Sequence, residues 1–288
     1  MSLGGSQDDH QVADRADRPG DGHTRVMGIV NVTPDSFSDG GLYLHADAAI
    51  AHGVELVRQG AELHDIGGES TRPGATRVSE DEELSRVIPV VGGLAADPRT
   101  RDIPLSVDTM RASVARASVE AGAAIINDVS GGLADDAMFA TVAGLDVDYI
   151  CQHWRGFGQE MNQRARYHDV VTEVRDELAA RLALAEQAGI SHDHLIADPG
   201  LGFAKMGEQD WQLLRHLDVF VALGHRVLVG ASRKRFLGVL LNGREARDRD
   251  AATAAVSAWC AQRGVWGVRT HEVLSQADAI AVTEHLML

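Results

Sequence analysis

Eight short apolar runs, at residues 25–31, 61–66, 103–107, 123–127, 147–152, 194–197, 225–230 and 265–269, recur along the chain with helical patterns between them. A run of about 4–6 apolar residues bounded by turn signals reads as a strand buried on both faces, as in a parallel sheet. The intervening segments have the helical period. At 46–59, Ile50, Val54 and Val57 share one face; at 170–188, Val170, Val174, Leu178 and Leu182 do the same before Gly189 stops the pattern. Further helices are expected near 80–96, 110–121, 135–143, 210–222, 250–263 and 272–286. Eight βα units in about 260 residues match the size of a TIM barrel. A doubly wound open sheet is the rival, but no GxGxxG follows the first run and the sequence does not divide into halves. The expected fold is of the α/β class, a single (β/α)8 barrel over residues 25–288. The first 24 residues carry almost no large apolar side chains and read as a disordered tail.

Composition excludes several classes of function. A 288-residue chain with 44% hydrophobic content builds one large core, and no linker or low-complexity stretch divides it. The net charge of −15 argues against nucleic acid and acidic membrane surfaces, which need clustered Lys and Arg. No apolar stretch approaches the roughly 18–20 residues of a membrane span and no signal peptide is visible, so a cytoplasmic protein is expected. Cys151 and Cys260 form no CxxC pair, and the 13 histidines show no HExxH spacing, so no structural metal is expected.

Polar residues stand at or just past the ends of the apolar runs: Asn31, Asp108, Asn127, Asp198, Lys234 and Arg269. Barrel enzymes assemble their sites at this end of the strands. Each residue also has a plain structural reading. Asp108 and Thr109 suit a helix cap, as does Ser232 before RKRFLGVLL; Asn127-Asp128 and Asp198-Pro199-Gly200 suit turns; His271 can simply open the last helix. Their joint occurrence favours chemistry. Two carboxylates and a carboxamide at the bottom of a pocket match a flat heterocycle with adjacent N–H donors, such as a 2-amino-4-oxopyrimidine ring. Lys234, Arg269 and His271 at the rim match an anionic leaving group, phosphate or pyrophosphate, with Asn31 as an oxygen ligand for Mg²⁺.

The segments MGIVNVTPDSFSDGG (27–41), DIGGESTRPGA (65–75), SVDT (106–109), INDVSGG (126–132), DPGLGFAK (198–205), GASRKRFLG (230–238) and VRTHEV (268–273) resemble the dihydropteroate synthase family across residues 25–288. The resemblance implies a pterin-binding TIM barrel that condenses 6-hydroxymethyl-7,8-dihydropterin pyrophosphate with p-aminobenzoate in folate biosynthesis, and that binds sulfonamides. It implies Asp108, Asn127, Asp198 and Lys234 on the pterin, and Asn31, Arg269 and His271 on pyrophosphate and Mg²⁺. Asp35 and Phe37 of the first loop and Thr71, Arg72 and Pro73 of the second would close over p-aminobenzoate beside Phe203, Lys234 and Arg235. The implied reaction is dissociative and needs no nucleophilic side chain. Corrinoid methyltransferases share the Asp–Asn–Asp floor, but the NVTPDSF and SRK segments point to the synthase.

Three positions depart from the family pattern. Gln152, in Cys151-Gln152-His153, replaces a methionine expected against the pterin face. His64 replaces an aliphatic strand residue, and Thr270 replaces a valine. Burying an unsatisfied amide costs roughly 1–3 kcal/mol, so these departures make a weakly active or inactive paralogue that keeps the pocket the alternative to an active synthase. A pterin-dependent methyl carrier is a further alternative, for which the sequence shows no corrinoid partner. The family's habit implies a homodimer through residues 250–286, where Ala254, Ala255, Ala258 and Ala261 surround Trp259; the same residues suit docking onto the barrel.

Overall fold

The computed structural model describes residues 22–32, 42–70 and 77–288. Its elements, in chain order, are β1 (Arg25–Asn31), α1 (Leu42–Arg58), β2 (Leu63–Gly67), α2 (Glu80–Ala96), β3 (Leu105–Asp108), α3 (Ala112–Glu120), β4 (Ile125–Asp128), α4 (Met138–Ala143), β5 (Asp148–Gln152), α5 (Gly158–Gln163), α6 (Val170–Gln187), β6 (Leu195–Asp198), α7 (Glu208–Arg215), α8 (Leu217–Val221), β7 (Arg226–Val229), α9 (Arg235–Leu240), α10 (Asp250–Gln262), β8 (Gly267–Thr270) and α11 (Leu274–Met287). The strands pair in sequence order, all parallel, and β1 pairs with β8 to close the barrel. The expected (β/α)8 architecture is observed.

Helix ends follow local chemistry. Ser79 caps α2 by accepting from the Glu82 N–H, and four acidic residues in its first turn complement the helix dipole. Asp169 caps α6 in the same way, with the N–H groups of Val171 and Thr172 as donors. Gly189 ends α6 at φ +106°, where the Ile190 N–H turns back to the Ala185 carbonyl. The helix expected over 210–222 is instead two, because the chain breaks at His216 between α7 and α8. The short helix α5 is not among those expected, and α9 falls within the helix that RKRFLGVLL suggests, beginning at Arg235. Thr24 does not belong to a tail: it is buried, and its hydroxyl donates to the Val265 carbonyl. Residues 1–21, expected as disordered tail, lie outside the described residues. Among the described residues no helix is long and apolar enough to cross a membrane.

The barrel interior is filled in layers. Met27, Leu63, Ile125, Ile150, Ile196, Leu228 and Trp266 form a buried apolar floor. Below it Arg25 and Arg226 lie against the Trp266 ring at 5.8 and 5.2 Å, and Arg226 pairs with Asp148 at 2.9 Å. The outward-facing residues of the strands meet the helices in a second, larger apolar cluster.

His64 lies in that outer layer. Its Nε2–H donates to the Gly53 carbonyl of α1 at 2.9 Å, while Nδ1 is buried without a partner. Burial pushes the imidazole down to about 4, with the Gly53 carbonyl opposing. The native chain therefore refuses a proton that an unfolded histidine accepts below its ordinary value, and stability is lost as pH falls from the ordinary histidine range toward 4. His64→Leu is expected to stabilise the fold by about 1–2 kcal/mol near pH 5 and by less near pH 8, read by denaturant unfolding. An equal effect at both pH values would refute the cause.

Candidate active site

Strand side chains alternate, so the residues two positions beyond the apolar floor also point inward. From Leu63, Ile125, Ile150 and Ile196 this step reaches Asp65, Asn127, Gln152 and Asp198; the register adds Asp108 beside Asn127 and Arg269 beside Met27. A greasy floor thus carries a polar layer at the C-terminal mouth.

One network ties four strands together there. Asp65, fully buried, accepts from Ser106 Oγ at 2.7 Å, Asn127 Nδ2 at 3.2 Å and Arg269 Nε at 2.5 Å. Arg269 Nη2 also donates to Asp108 at 3.0 Å. Burial pushes the Asp108 carboxyl up to about 8; Arg269 opposes this, and Asp65 adds to it. The Oδ1 of Asn127 is buried and, among the described residues, accepts from nothing.

On the far side of the mouth, Asp198 accepts from the Gly200 N–H at 2.7 Å. Burial raises its carboxyl, while the ammonium of Lys234 pulls it down. Lys234 donates to the Leu201 carbonyl, and its Nζ lies 4.9 Å from the centre of the Phe203 ring. Burial pushes this amine down to about 8, with Asp198 and Asp210 holding it up, so Lys234 keeps its proton at neutral pH. Lys205 braces the same loop from behind. Buried, it donates to the carbonyls of Gly200 and Phe203 and to His153 Nδ1, each at 2.9 Å. His153 accordingly carries its proton on Nε2, facing Glu177 at 3.0 Å.

Some strand-end residues also take the plain structural roles open to them: Asp198 and Asp128 accept from the N–H two residues on, and Thr109 accepts from the Arg111 N–H before α3; others do not. Asp108 does not cap α3, whose first N–H is bound by Asp135. Ser232 does not cap α9; its Oγ accepts from the His271 N–H at 3.1 Å and lies 3.0 Å from His271 Nδ1. Thr270 is buried beside them, its hydroxyl donating to the Glu272 carbonyl at 3.0 Å. Arg269 reaches from the rim down to the floor carboxylates. Arg235 is exposed at the start of α9, Phe203 is half-buried, and Asn31 is half-buried at the end of β1. Gln152 is buried and its amide donates to the Val129 carbonyl at 3.3 Å, so the amide expected to lack a partner has one. Asp35, Phe37, Thr71, Arg72 and Pro73 lie outside the described residues. Sequence reasoning missed Asp65 and Lys205, although both stand inside quoted motifs; the alternation of β2 points Asp65 inward.

A model of the pterin binding enzyme family matches residues 27–271. The dihydropteroate synthase of Mycobacterium leprae (strain TN) is 50% identical over 264 residues, 90% of this chain and 92% of its own length. That of Streptococcus pyogenes serotype M1 is 43% identical over 269 residues, covering 93% and 97%. Among solved structures, Xanthomonas albilineans dihydropteroate synthase with 4-aminobenzoic acid superposes at a TM-score of 0.85 and 45% identity over 92% of this chain and 93% of that one. The Yersinia pestis dihydropteroate synthase with a sulfonamide drug gives 0.86 and 38% over 92% and 94%.

The state of Asp108 has a measurable consequence. Between the ordinary carboxylate range and about 8 the native chain holds a proton that the unfolded chain has lost, so this group's contribution to stability falls as pH rises through that window. Asp108→Asn, with Asp65 still pairing Arg269, is expected to stabilise the protein by about 1 kcal/mol or more near pH 8, with the gain shrinking toward pH 5. Unfolding curves that show no pH dependence of the difference would rule this out.

Proposed function

Because the chain belongs to the pterin-binding enzyme family and, within it, to the dihydropteroate synthases, we infer that it is a transferase of folate biosynthesis. It condenses 6-hydroxymethyl-7,8-dihydropterin pyrophosphate with p-aminobenzoate and releases pyrophosphate. In the chain's own geometry, the observation that carries this reading is the orphan Asn127 Oδ1 on the polar floor with Asp108 and Asp198. A buried acceptor without a donor asks for a ligand N–H, and the carboxyl groups of Asp108 beside it and Asp198 across the mouth offer further polar partners; a 2-aminopterin edge supplies the donors. The arylamine held by the Xanthomonas albilineans enzyme and the drug held by the Yersinia pestis enzyme support p-aminobenzoate and sulfonamides as ligands.

In this reading Asp108, Asn127 and Asp198 fix the pterin ring, Gln152 lines it, and Lys234 presents its charge above it. Arg269 and His271 receive the pyrophosphate end, with the guanidinium sharing its charge between the anion and the floor carboxylates. The bond from the exocyclic methylene carbon to pyrophosphate breaks with its electrons leaving on the anion, and the arylamine nitrogen then forms the new bond and gives up a proton to water. Phe203, Lys234 and Arg235, with Asp35, Phe37, Thr71, Arg72 and Pro73, hold the arylamine for that attack. Positioning and electrostatics carry the rate, since no side chain forms a covalent intermediate.

The residues fit Mg²⁺ at the leaving-group end. Asn31 offers a carboxamide oxygen, and its β2 neighbour Gly67 has no side chain to crowd it. Because Mg²⁺ keeps several waters and leans on phosphates, one protein oxygen suffices. When bound, it neutralises charge on the pyrophosphate.

A homodimer through α10 and α11 completes the proposal. Trp259 is used within the chain, its indole N–H donating to the Leu214 carbonyl at 2.7 Å, which leaves Leu274, Val282 and Leu286 as exposed apolar residues of α11. Light scattering at micromolar concentration is expected to give the dimer mass; a monomer would contradict it.

A coupled pyrophosphate-release assay is expected to show turnover with p-aminobenzoate and none without it. Arg269→Ala should weaken the pterin pyrophosphate by about 1.5–3 kcal/mol more than it weakens the bare pterin, because only the anion uses the charge-assisted contact. Equal losses for both ligands in calorimetry would make Arg269 a purely structural residue, and a folded wild type without turnover would overturn the synthase reading.

A further inference from the structure

The opposite end of the barrel carries an independent cluster. Glu186 lies in the last turn of α6, His192 opens the short 3-10 turn His192–His194 before β6, and His225 immediately precedes β7. One ligand atom from each lies within 4.8 Å of the other two. His192 Nδ1 is 2.7 Å from Glu186 Oε1, and His225 Nε2 is 3.9 Å from the same oxygen. The two imidazole rings face one another, 4.1 Å between centroids and 36° between planes. The His225 side chain is only 8% exposed, whereas His192 and Glu186 are open to solvent.

We propose that Glu186, His192 and His225 form a binding site for a divalent transition metal of the Zn²⁺ class. Two imidazoles and one carboxylate are the ligands that Zn²⁺, Ni²⁺ and Cu²⁺ prefer, while Mg²⁺ and Ca²⁺ prefer oxygen alone. Bonds of about 2.0–2.2 Å set tetrahedral donors roughly 3.3 Å apart, so His225 Nε2 and Glu186 Oε1, at 3.9 Å, need to close and His192 Nδ1 and Glu186 Oε1, at 2.7 Å, need to open, each by about 0.6 Å. The two exposed side chains can make that movement by rotation, with the buried His225 as the fixed point. A water takes the fourth position. The metal joins the end of α6 to the starts of β6 and β7, three segments that cross the N-terminal face. Because this face lies at the other end of the strands from Asp108, Asn127 and Asp198, the site acts on stability and leaves turnover alone. His194, 3.3 Å from Asp148 and 3.8 Å from Asp146, is on the same face but outside the triad and serves as the control.

Untagged full-length protein titrated with Zn²⁺ alone is expected to bind one equivalent at this site and to melt at a higher temperature as it fills. His192→Ala and Glu186→Gln, both at exposed positions, should each weaken Zn²⁺ by about tenfold or more. His194→Ala should bind as wild type does, and turnover in Mg²⁺ should be unchanged in all three. Co²⁺ should give the visible absorption of a tetrahedral site in wild type and lose it in His192→Ala. The proposal is overturned if wild type takes up no Zn²⁺, or if affinity survives both substitutions unchanged.

Discussion

The guanidinium of Arg269 bridges two buried carboxylates across the barrel mouth, and the polar layer above the apolar floor depends on it. Charges buried without partners cost several kcal/mol each, so Asp65 needs a cation and donors to meet it, while burial beside it favours the protonated form of Asp108. Arg269 supplies the cation; Ser106 and Asn127 supply donors to Asp65. With Asp65 taking up the Nδ2 of Asn127, the Oδ1 of the same amide is turned out with nothing to accept from. The recognition edge of the pocket is therefore a by-product of how its negative charge is neutralised.

Much of this was legible in the sequence, because two simple periods govern it. The strand–helix alternation gave the barrel, and the polar residues at the strand ends gave Asp108, Asn127, Asp198, Lys234 and Arg269. Asp65 escapes a reading of the ends of the apolar runs, because the inward direction within β2 is set by alternation and points at Asp65 and Gly67. Lys205 was missed for another reason. A lysine after a glycine-rich turn reads as solvated, and nothing local announces that three acceptors, one of them on β5's neighbour His153, will converge on its ammonium. The triad of Glu186, His192 and His225 has no sequence spacing to recognise, since only the parallel pairing of β6 with β7 brings the starts of those two strands side by side.

The three departures from the family pattern fall into different physical situations. Gln152 faces inward and finds the Val129 carbonyl, so its amide is not the unsatisfied group that a sequence comparison suggests. His64 faces outward and reaches only the Gly53 carbonyl, leaving one ring nitrogen bare in an apolar layer. Thr270 also faces outward, its hydroxyl within hydrogen-bond distance of Ser232 Oγ and the Glu272 carbonyl. Direction from the barrel wall, more than residue type, decides what each substitution touches.

The closure of β1 against β8 pairs Arg25 with Gly267, joining the two ends of the described chain. Such a contact is among the least local a protein of this length can make, and parallel strands paired at long range assemble slowly. A chain leaving the ribosome amino end first exposes Asp65 and Asp108 early, and their counter-charge, on the last strand, emerges last. The contacts that meet those two carboxylates therefore cannot form until the last strand has been made.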